Sequence, residues 1–368
     1  MKLMKPDYSN SILNVSHTIL AHYGHKTDLD LIPELKEVLN KNYKHVFLFI
    51  LDGMGTNIVK KDLKRQDFLR KYVVKKITSI YPPTTVAATH AILTAKSPYE
   101  SGYLGWTQYF PDEDIYDIIF LNKDYYDSSK KIDINLKDKY LKHKTIFDYI
   151  EQANQKVKTY GVFPSFVKDG SETFDDELER ALEISHMKED TFTYVYWINP
   201  DDKEHKFGPM SKEVKEEIKS LSNKIQIMSQ KLGESSLLII MADHGQIEVK
   251  PIEFTNDSYL YEMFEKKPSL EPRTPAFFVK AEKRLEFENI FRKTYGKRYK
   301  LYASADFIES GLIGSGIKHP MLDKFVGDFV GVAISDRYLK FKKEAIYKGH
   351  HAGLTKGEME VPLIIFEK

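Results

Sequence analysis

The sequence contains no cysteine, and this absence removes several kinds of chemistry at once. Disulfide bonds, thiolate metal sites and a cysteine nucleophile are all excluded. An excess of charge of one sign is also missing, because 55 basic residues stand against 54 acidic ones and the formal net charge is +1. Such a balance gives no reason to expect a nucleic-acid polymer or a membrane surface as a partner. Any reaction must therefore use carboxylate, imidazole and hydroxyl groups.

Long apolar runs are lacking as well. The most apolar stretch, residues 46–51, is far too short to cross a bilayer. The N-terminal segment is interrupted by Asp7, Ser9 and Asn10, where a signal peptide needs a continuous apolar core. We therefore expect a soluble, cytoplasmic protein that does not bind a membrane.

Short apolar runs alternate with amphipathic stretches along the chain. Runs typical of buried strands occupy residues 45–52, 191–198, 235–243 and 361–366, with a weaker candidate at 156–163. Between two of them, residues 211–232 repeat apolar side chains at steps of three and four, with Ser211 as a helix cap and Gly233 as a stop. This alternation predicts an α/β fold with a doubly wound, mainly parallel sheet and helices on both faces.

Two regions depart from the alternation. Residues 107–140 are rich in tyrosine and aspartate without a clear period, and we interpret them as a long excursion near the site. Residues 250–345 contain their own strand-like and helix-like runs, and we interpret them as an inserted α+β cap subdomain. The predicted catalytic domain then comprises residues 1–249 and 346–368. Both departing regions are expected to line the substrate pocket.

Candidate metal ligands stand at the ends of the predicted strands, where open α/β sheets collect their ligands. They are Asp52, Asp201, His205, Asp243 and His244, with His350 and His351 shortly before the last strand. A single aspartate after a strand is more often a turn former, and a single histidine is more often structural. Four such groups together supply enough carboxylates and imidazoles for two sites, and zinc, manganese and iron accept both ligand types.

A hydroxyl group with a suitable setting follows Pro82 and Pro83. These prolines force extended backbone, and the sequence TTVAATHAILTA then predicts a helix that begins at Thr84 or Thr85. A helix N-terminus offers unpaired N–H groups and the positive end of a dipole, which suit a phosphoryl group. A threonine there could attack phosphorus if a metal lowered its pKa. Each threonine could equally be a plain N-cap.

Taken in order, these segments resemble the nucleotide pyrophosphatase/phosphodiesterase branch of the alkaline phosphatase superfamily. The matching segments are LDGMG, PPTTVAATHAILTAKSPYESGYLGW, NPDDKEHKFGP, ADHG and HAGLT followed by VPLI. The resemblance implies an alkaline phosphatase-like fold and a small-molecule phosphate ester as substrate. It also implies cleavage of a phosphodiester or pyrophosphate bond through a phosphothreonine intermediate.

The resemblance further implies two divalent metal ions about 4 Å apart, most often zinc, with manganese or iron as alternatives. One ion would be held by Asp201, His205 and His351. The other would be held by Asp52, Asp243 and His244, and would contact the nucleophile.

The spacing of the family's motifs selects between the neighbouring candidates. The family places its threonine nucleophile nine residues before the threonine of a Thr-Gly-x-x-Pro segment, here Thr94, which selects Thr85. Its His-Gly-Gly-Leu motif matches the segment that begins at His351, and His350 is expected to support this residue without binding metal.

The sequence departs from the family pattern at four positions. Ala88 stands where many members have an asparagine that helps to hold a phosphoryl oxygen, so a nucleotide-like substrate is less firmly indicated. Glu204 replaces a glycine and is expected to point to solvent, while Ala95 and Ala352 replace glycines that we expect to be dispensable. The alternatives are a phosphomonoesterase or phosphonate hydrolase that uses the same metals, and a catalytically silent metal-binding protein.

Overall fold

A computed structural model describes residues 1–254 and 259–368 of the protein. The strands are β1 (His45–Leu51), β2 (Val73–Thr78), β3 (Thr107–Phe110), β4 (Ile115–Ile118), β5 (Lys123–Asp124), β6 (Lys158–Val162), β7 (Thr191–Trp197), β8 (Ser236–Met241), β9 (Ile247–Glu248), β10 (Lys250–Glu253), β11 (Phe264–Glu271), β12 (Thr274–Val279), β13 (Tyr299–Ala303), β14 (Phe329–Ala333), β15 (Arg337–Lys340), β16 (Gly349–His350) and β17 (Glu360–Glu367). The helices are α1 (Ile12–His22), α2 (Pro33–Leu39), α3 (Thr56–Asp62), α4 (Phe68–Lys71), α5 (Thr85–Thr94), α6 (Pro98–Ser101), α7 (Leu136–Tyr140), α8 (Ile146–Ala153), α9 (Phe174–Ser185), α10 (Asp201–Phe207), α11 (Lys212–Lys231), α12 (Arg284–Tyr295), α13 (Ser304–Glu309), α14 (Leu322–Phe325) and α15 (Lys356–Met359).

The central sheet has the strand order β2-β17-β8-β1-β7-β6. Strand β1 pairs in parallel with β7 and β8, and β6 pairs in parallel with β7. Only β17, between β2 and β8, runs antiparallel to its neighbours within this sheet. Every residue of β1, β7 and β8 is buried, which requires cover on both faces of the sheet. The predicted α/β fold with a mainly parallel central sheet is confirmed.

The individual elements agree with their sequence patterns where those patterns are strong. The weak candidate at 156–163 is β6, and the predicted helix at 211–232 is α11. Ser211 caps this helix by accepting a hydrogen bond from the backbone N–H of Val214. The sequence does not predict edge strand β2, because two adjacent lysines interrupt its apolar residues and its first four positions are half-buried or exposed. Across the described ranges, none of the helices is long and apolar enough to cross a bilayer.

The second sheet has the strand order β13-β14-β12-β11-β3-β4-β5. Its two halves, from 107–124 and from 264–333, join where Leu270 of β11 pairs with Thr107 of β3. Residues 107–140, interpreted as a long excursion near the site, contain β3, β4 and β5, which the sequence pattern does not predict. These strands are only two to four residues long, too short for a period to show. The cap boundary at 250–345 stays a prediction, and the sheet that it contains also includes strands from outside it.

Candidate active site

The parallel register of the central sheet brings the strand-end residues together. Asp52 follows β1, Asp201 begins α10 after β7, and Asp243 follows β8. Because β1 lies between β7 and β8, the three aspartates emerge at one edge. The backbone N–H of Asp201 donates to the carbonyl oxygen of Asp52 over 3.0 Å, which fixes the start of α10 against the end of β1.

The first cluster of possible ligands consists of Asp52, Asp243 and His244, whose ligand atoms all lie within 4.8 Å of one another. The Nε2 atom of His244 is 3.4 Å from Asp52 Oδ1 and 3.5 Å from Asp243 Oδ2. The other oxygen of each carboxylate is engaged, by the Tyr196 hydroxyl at Asp52 and by the Gly53 N–H at Asp243. Within residues 1–254 and 259–368, Asp52 Oδ1 and Asp243 Oδ2 are buried without a hydrogen-bond partner. This arrangement fits a cation between the two free oxygens.

The second cluster adds Asp201, His205 and His351. Asp201 Oδ2 is 3.3 Å from His205 Nε2, and Asp201 Oδ1 is 3.9 Å from His351 Nε2. The Nδ1 of His205 donates to the carbonyl oxygen of Gly349 over 2.9 Å, which leaves Nε2 as the free lone pair. His244 belongs to this group too, since its ligand atom lies within 4.8 Å of those of Asp201 and His351. All six residues implied as ligands therefore lie together.

The electrostatics of the combined cluster favour a bound cation. Burial, followed by the charges of Asp243 and Asp201, raises the pKa of the Asp52 carboxyl well above its usual range. Burial also raises the pKa of Asp243 and lowers the pKa of His351 well below its usual range, so this imidazole is neutral. Crowded carboxylates and neutral imidazoles are the donor set that a divalent ion such as zinc accepts.

The two candidate threonines have different surroundings. Thr84 occupies the N-cap position of α5, and its hydroxyl donates to Glu271 Oε1 over 2.5 Å. Thr85 is the first residue of α5, and its Oγ1 is 3.2 Å from His244 Nε2. Only Thr85 therefore places its hydroxyl against one of the clustered histidines. Its role as nucleophile stays a prediction.

A cavity of about 440 Å³ opens in front of Thr85. Its floor includes Asp201 and His351, while its opposite wall comes from the second sheet and the loop before β16. The wall residues include Trp106, Tyr125, Leu270, Glu271, Phe341, Glu344 and Tyr347. The regions expected to line the pocket do contribute to it, and their aromatic side chains there are those of Tyr125 and Phe341.

Glu204 differs from its expected position. The side chain is fully buried, not exposed to solvent. A Cβ atom at Gly53 would lie 2.7 Å from Glu204 Oε2 and 2.9 Å from the Cα atom of Asp201, so only glycine fits there. Burial and then the charge of Asp201 raise the pKa of Glu204 well above its usual range. Glu204 is therefore a buried neighbour of the site, and its surroundings favour the uncharged form of its carboxyl group.

Two supporting residues, Gln246 and Tyr196, are not predicted from the sequence. The Gln246 side chain donates to the backbone oxygen of Asp201 over 3.1 Å, and Tyr196 donates to Asp52. His350, by contrast, is expected from the sequence to support His351, and its Nδ1 accepts the backbone N–H of His351 over 2.9 Å. A tyrosine within an apolar strand and a glutamine after ADHG give no signal of their own in a single sequence.

Comparison with known proteins gives one family. The family model described as type I phosphodiesterase/nucleotide pyrophosphatase matches residues 46–333. Venom phosphodiesterase 2 of Crotalus adamanteus is 23% identical over 191 residues, which cover 48% of this chain and 23% of that protein. Ectonucleotide pyrophosphatase/phosphodiesterase family member 1 of Homo sapiens is 25% identical over 185 residues, 46% of this chain and 20% of that protein. The matches thus span less than a quarter of the length of these relatives.

Solved structures of similar fold cover far more of the chain. Murine ectonucleotide pyrophosphatase/phosphodiesterase 5 matches with a TM-score of 0.66 and 19% identity, over 88% of each chain. Its human counterpart gives 0.66 and 18%, over 88% of this chain and 87% of that one. An inactive variant of the murine protein, in complex with AMP, gives 0.64 and 18% over 86% and 87%. At this identity the likeness establishes a common fold.

Proposed function

Because the chain belongs to the type I phosphodiesterase/nucleotide pyrophosphatase family, we propose that it hydrolyses a phosphodiester or pyrophosphate bond in a small phosphate ester. The observation that carries the proposal is the position of the Thr85 hydroxyl, 3.2 Å from His244 Nε2 and at the first residue of α5. Two oxygens that suit a cation, on Asp52 and Asp243, approach the same histidine. A nucleophile beside a ligand cluster is what metal-assisted phosphoryl transfer needs.

The ligand cluster would hold two divalent ions, which we propose to be zinc, with manganese or iron as alternatives. The residues in question are Asp201, His205 and His351 for one ion, and Asp52, Asp243 and His244 for the other. When bound, such ions lower the pKa of a hydroxyl or water and neutralise phosphoryl charge.

The cytoplasmic location of the protein stays a prediction.

The chain's own groups supply the displacement. The Thr85 hydroxyl loses its proton and its oxygen forms a bond to phosphorus while the bond to the leaving oxygen breaks, and the leaving group takes up a proton and departs. Water then cleaves the bond between phosphorus and the Thr85 oxygen, which releases the phosphate product and restores the hydroxyl. The first N–H groups of α5 have no acceptor inside the helix and are available to the phosphoryl oxygens. They can take the place of the missing asparagine, since Ala88 is fully buried in the apolar core and offers no donor.

The absence of an amide side chain at position 88 also supports a second candidate function, because a diester substrate is less firmly indicated without it. An enzyme without that donor would act on a phosphate monoester or a phosphonate monoester with the same threonine and metals. Bis-p-nitrophenyl phosphate, p-nitrophenyl phosphate and a phosphonate monoester, compared by kcat/KM, rank the three activities. The highest value with the diester supports the first function.

Thr85→Ala in the zinc-loaded protein tests the proposal. We expect hydrolysis of bis-p-nitrophenyl phosphate to fall by about 10³-fold or more, because the attacking oxygen is gone. Thr84→Ala is the matched control and should stay within about tenfold of wild type, since it loses a hydrogen bond but not the nucleophile. Full activity in Thr85→Ala, or equal activity before and after chelation of the metal, would overturn the proposal.

A further inference from the structure

A short segment of the second sheet touches both loops that carry the proposed reacting groups. This segment, Glu271–Thr274, turns from β11 into β12 and is called the brace below. The side chains of Glu271, Arg273 and Thr274 are 2%, 0% and 0% exposed, although two of them are charged. Most polar groups that are buried this deeply have hydrogen-bond partners.

On one side the brace holds the loop that leads into α5. Glu271 Oε1 accepts the Thr84 hydroxyl over 2.5 Å, directly before the proposed nucleophile. The hydroxyl of Thr274 lies 2.6 Å from that of Tyr81, at the start of the same loop. Glu271 and Thr274 thus hold the two ends of the four-residue segment 81–84, which directly precedes Thr85.

On the other side the brace holds the loop that carries His351. The Thr274 hydroxyl donates to the carbonyl oxygen of Ala352 over 2.5 Å, so it accepts from Tyr81. The guanidinium of Arg273 binds both oxygens of Glu358, at 2.7 and 2.9 Å. One of these oxygens also accepts the backbone N–H of Gly353 over 2.6 Å. The loop is therefore tied to the brace from two directions.

The two loops also meet each other, because the Ala352 N–H donates to the carbonyl oxygen of Pro83 over 2.8 Å. The Thr274 hydroxyl spans this junction with a single oxygen atom, joined to Tyr81 on one side and Ala352 on the other. A displacement of one loop relative to the other would break that chain of hydrogen bonds.

We propose that Arg273, Thr274 and Glu271 are positioning residues, which hold Thr85 and His351 at the separation that metal binding and phosphoryl transfer require. The inference rests on the proposed function, since it concerns the same site. Small displacements of reacting groups lower rates strongly, and partners of metal-ligating groups change metal affinity by about 10- to 100-fold. The second sheet thus affects the reaction through the positions of Thr85 and His351.

Thr274→Val tests the brace with little change in volume. We expect the zinc affinity, measured by titration calorimetry on the metal-free protein, to fall by about tenfold. We also expect kcat to fall while KM changes little, because the substrate wall is intact. Thr274→Ser restores the hydroxyl and should restore both values. Thr274→Ala probes the same bond if the valine variant does not fold.

Thr193→Val in β7 is the matched control. Its hydroxyl is buried and, in the described part of the chain, has no hydrogen-bond partner, so the same substitution removes no bond. We expect its zinc affinity and kcat to equal those of wild type. If Thr274→Val behaves like Thr193→Val while wild type binds zinc and hydrolyses the diester, the brace inference is wrong and the proposed function stands. If wild type itself binds no zinc and hydrolyses no ester, the proposed function fails first, and the inference with it.

Discussion

The brace and the cluster of Asp52, Asp243 and His244, called the strand-end cluster below, both bury charged groups, but they differ in whether those groups have partners. In the brace, the Arg273 guanidinium binds Glu358 and also donates to the carbonyl oxygens of Ser335 and Arg337. In the cluster, Asp52 and Asp243 each keep one oxygen that, among the residues the structure describes, has no partner. A buried charge with partners holds the fold together, whereas one without partners is held by the fold and is free to bind a ligand.

The largest expected effects come from one substitution in the brace and one in the strand-end cluster. Their changes in the free energy of unfolding are compared in protein kept metal-free with a chelator. Arg273→Met leaves Glu358 as a lone buried charge, and we expect a loss of about 3–5 kcal/mol in the free energy of unfolding. Asp52→Asn removes a carboxylate that its neighbours repel, and we expect a gain on the order of 1–3 kcal/mol. Urea denaturation measures both changes.

Arg180→Met is the control, because its ion pair with Glu183 is exposed, with side chains 51% and 64% accessible. It should change the free energy of unfolding by less than about 0.5 kcal/mol. A change of the same sign in Arg273→Met and Asp52→Asn would show that the two regions do not differ as described.

Glu177 tests whether a buried carboxyl group without a partner always marks a ligand site. It sits in α9, fully buried, and within the described ranges neither carboxyl oxygen has a hydrogen-bond partner, yet the side chain does not line the cavity. Burial, and then the charge of Asp176, raises the pKa of this carboxyl to about 9. The unfolded chain releases the proton near pH 4.3 and the folded chain retains it, so stability falls as the pH rises between these values.

We expect Glu177→Gln to remove this pH-dependent loss. The melting temperature should rise at pH 8, corresponding to about 1–3 kcal/mol, and change little at pH 4, where the carboxyl is largely protonated in both states. Activity should be unaffected. Glu179→Gln, two residues along on the exposed face of α9, is the control and should show no such pH dependence. A gain that is equal at both pH values would contradict the assignment, and lost activity would mean that Glu177 serves the site.

The central sheet and the clustered residues could be predicted because their signals are local. Buried parallel strands are continuous apolar runs, and their ends bear the ligands, so Asp52 and Asp243 could be found from a few residues each. The family resemblance added the choice of Thr85 over Thr84, and the structure places only Thr85 beside His244. Residue types alone could not separate two adjacent threonines.

The brace could not be predicted because its contacts are long-range. Glu271 lies 187 residues from Thr84, and Arg273 lies 85 residues from Glu358. Glu204 is expected in solvent because a charged side chain is rarely buried, and only the fold shows that α10 turns it inward beside Gly53. Such pairings are decided by how the two sheets pack, which has no periodic signal in the sequence.

The smallest expected effect concerns Ala95 and Ala352, the alanines that stand where the family has glycine. Both have left-handed backbone, with φ of 52° and 78°, which costs a residue with a Cβ atom about 1 kcal/mol or more. We expect glycine at either position to raise the free energy of unfolding by up to about 1 kcal/mol, since the relief of strain is offset in part by unfolded-chain entropy. Glycine in place of Ala91, inside α5, should do the opposite.

The two glycine variants should differ in one respect that sharpens the comparison of regions. Ala95 ends α5, whereas Ala352 is held on both sides, through its N–H by Pro83 and through its carbonyl by Thr274. If the brace sets the conformation of the His351 loop, Ala352→Gly alone leaves zinc affinity unchanged. Combined with Thr274→Val, it should weaken zinc binding further than Thr274→Val does, because a freed glycine loop samples more conformations. Zinc titration of the single and double variants measures this coupling, and additive effects would mean that the loop holds its own shape.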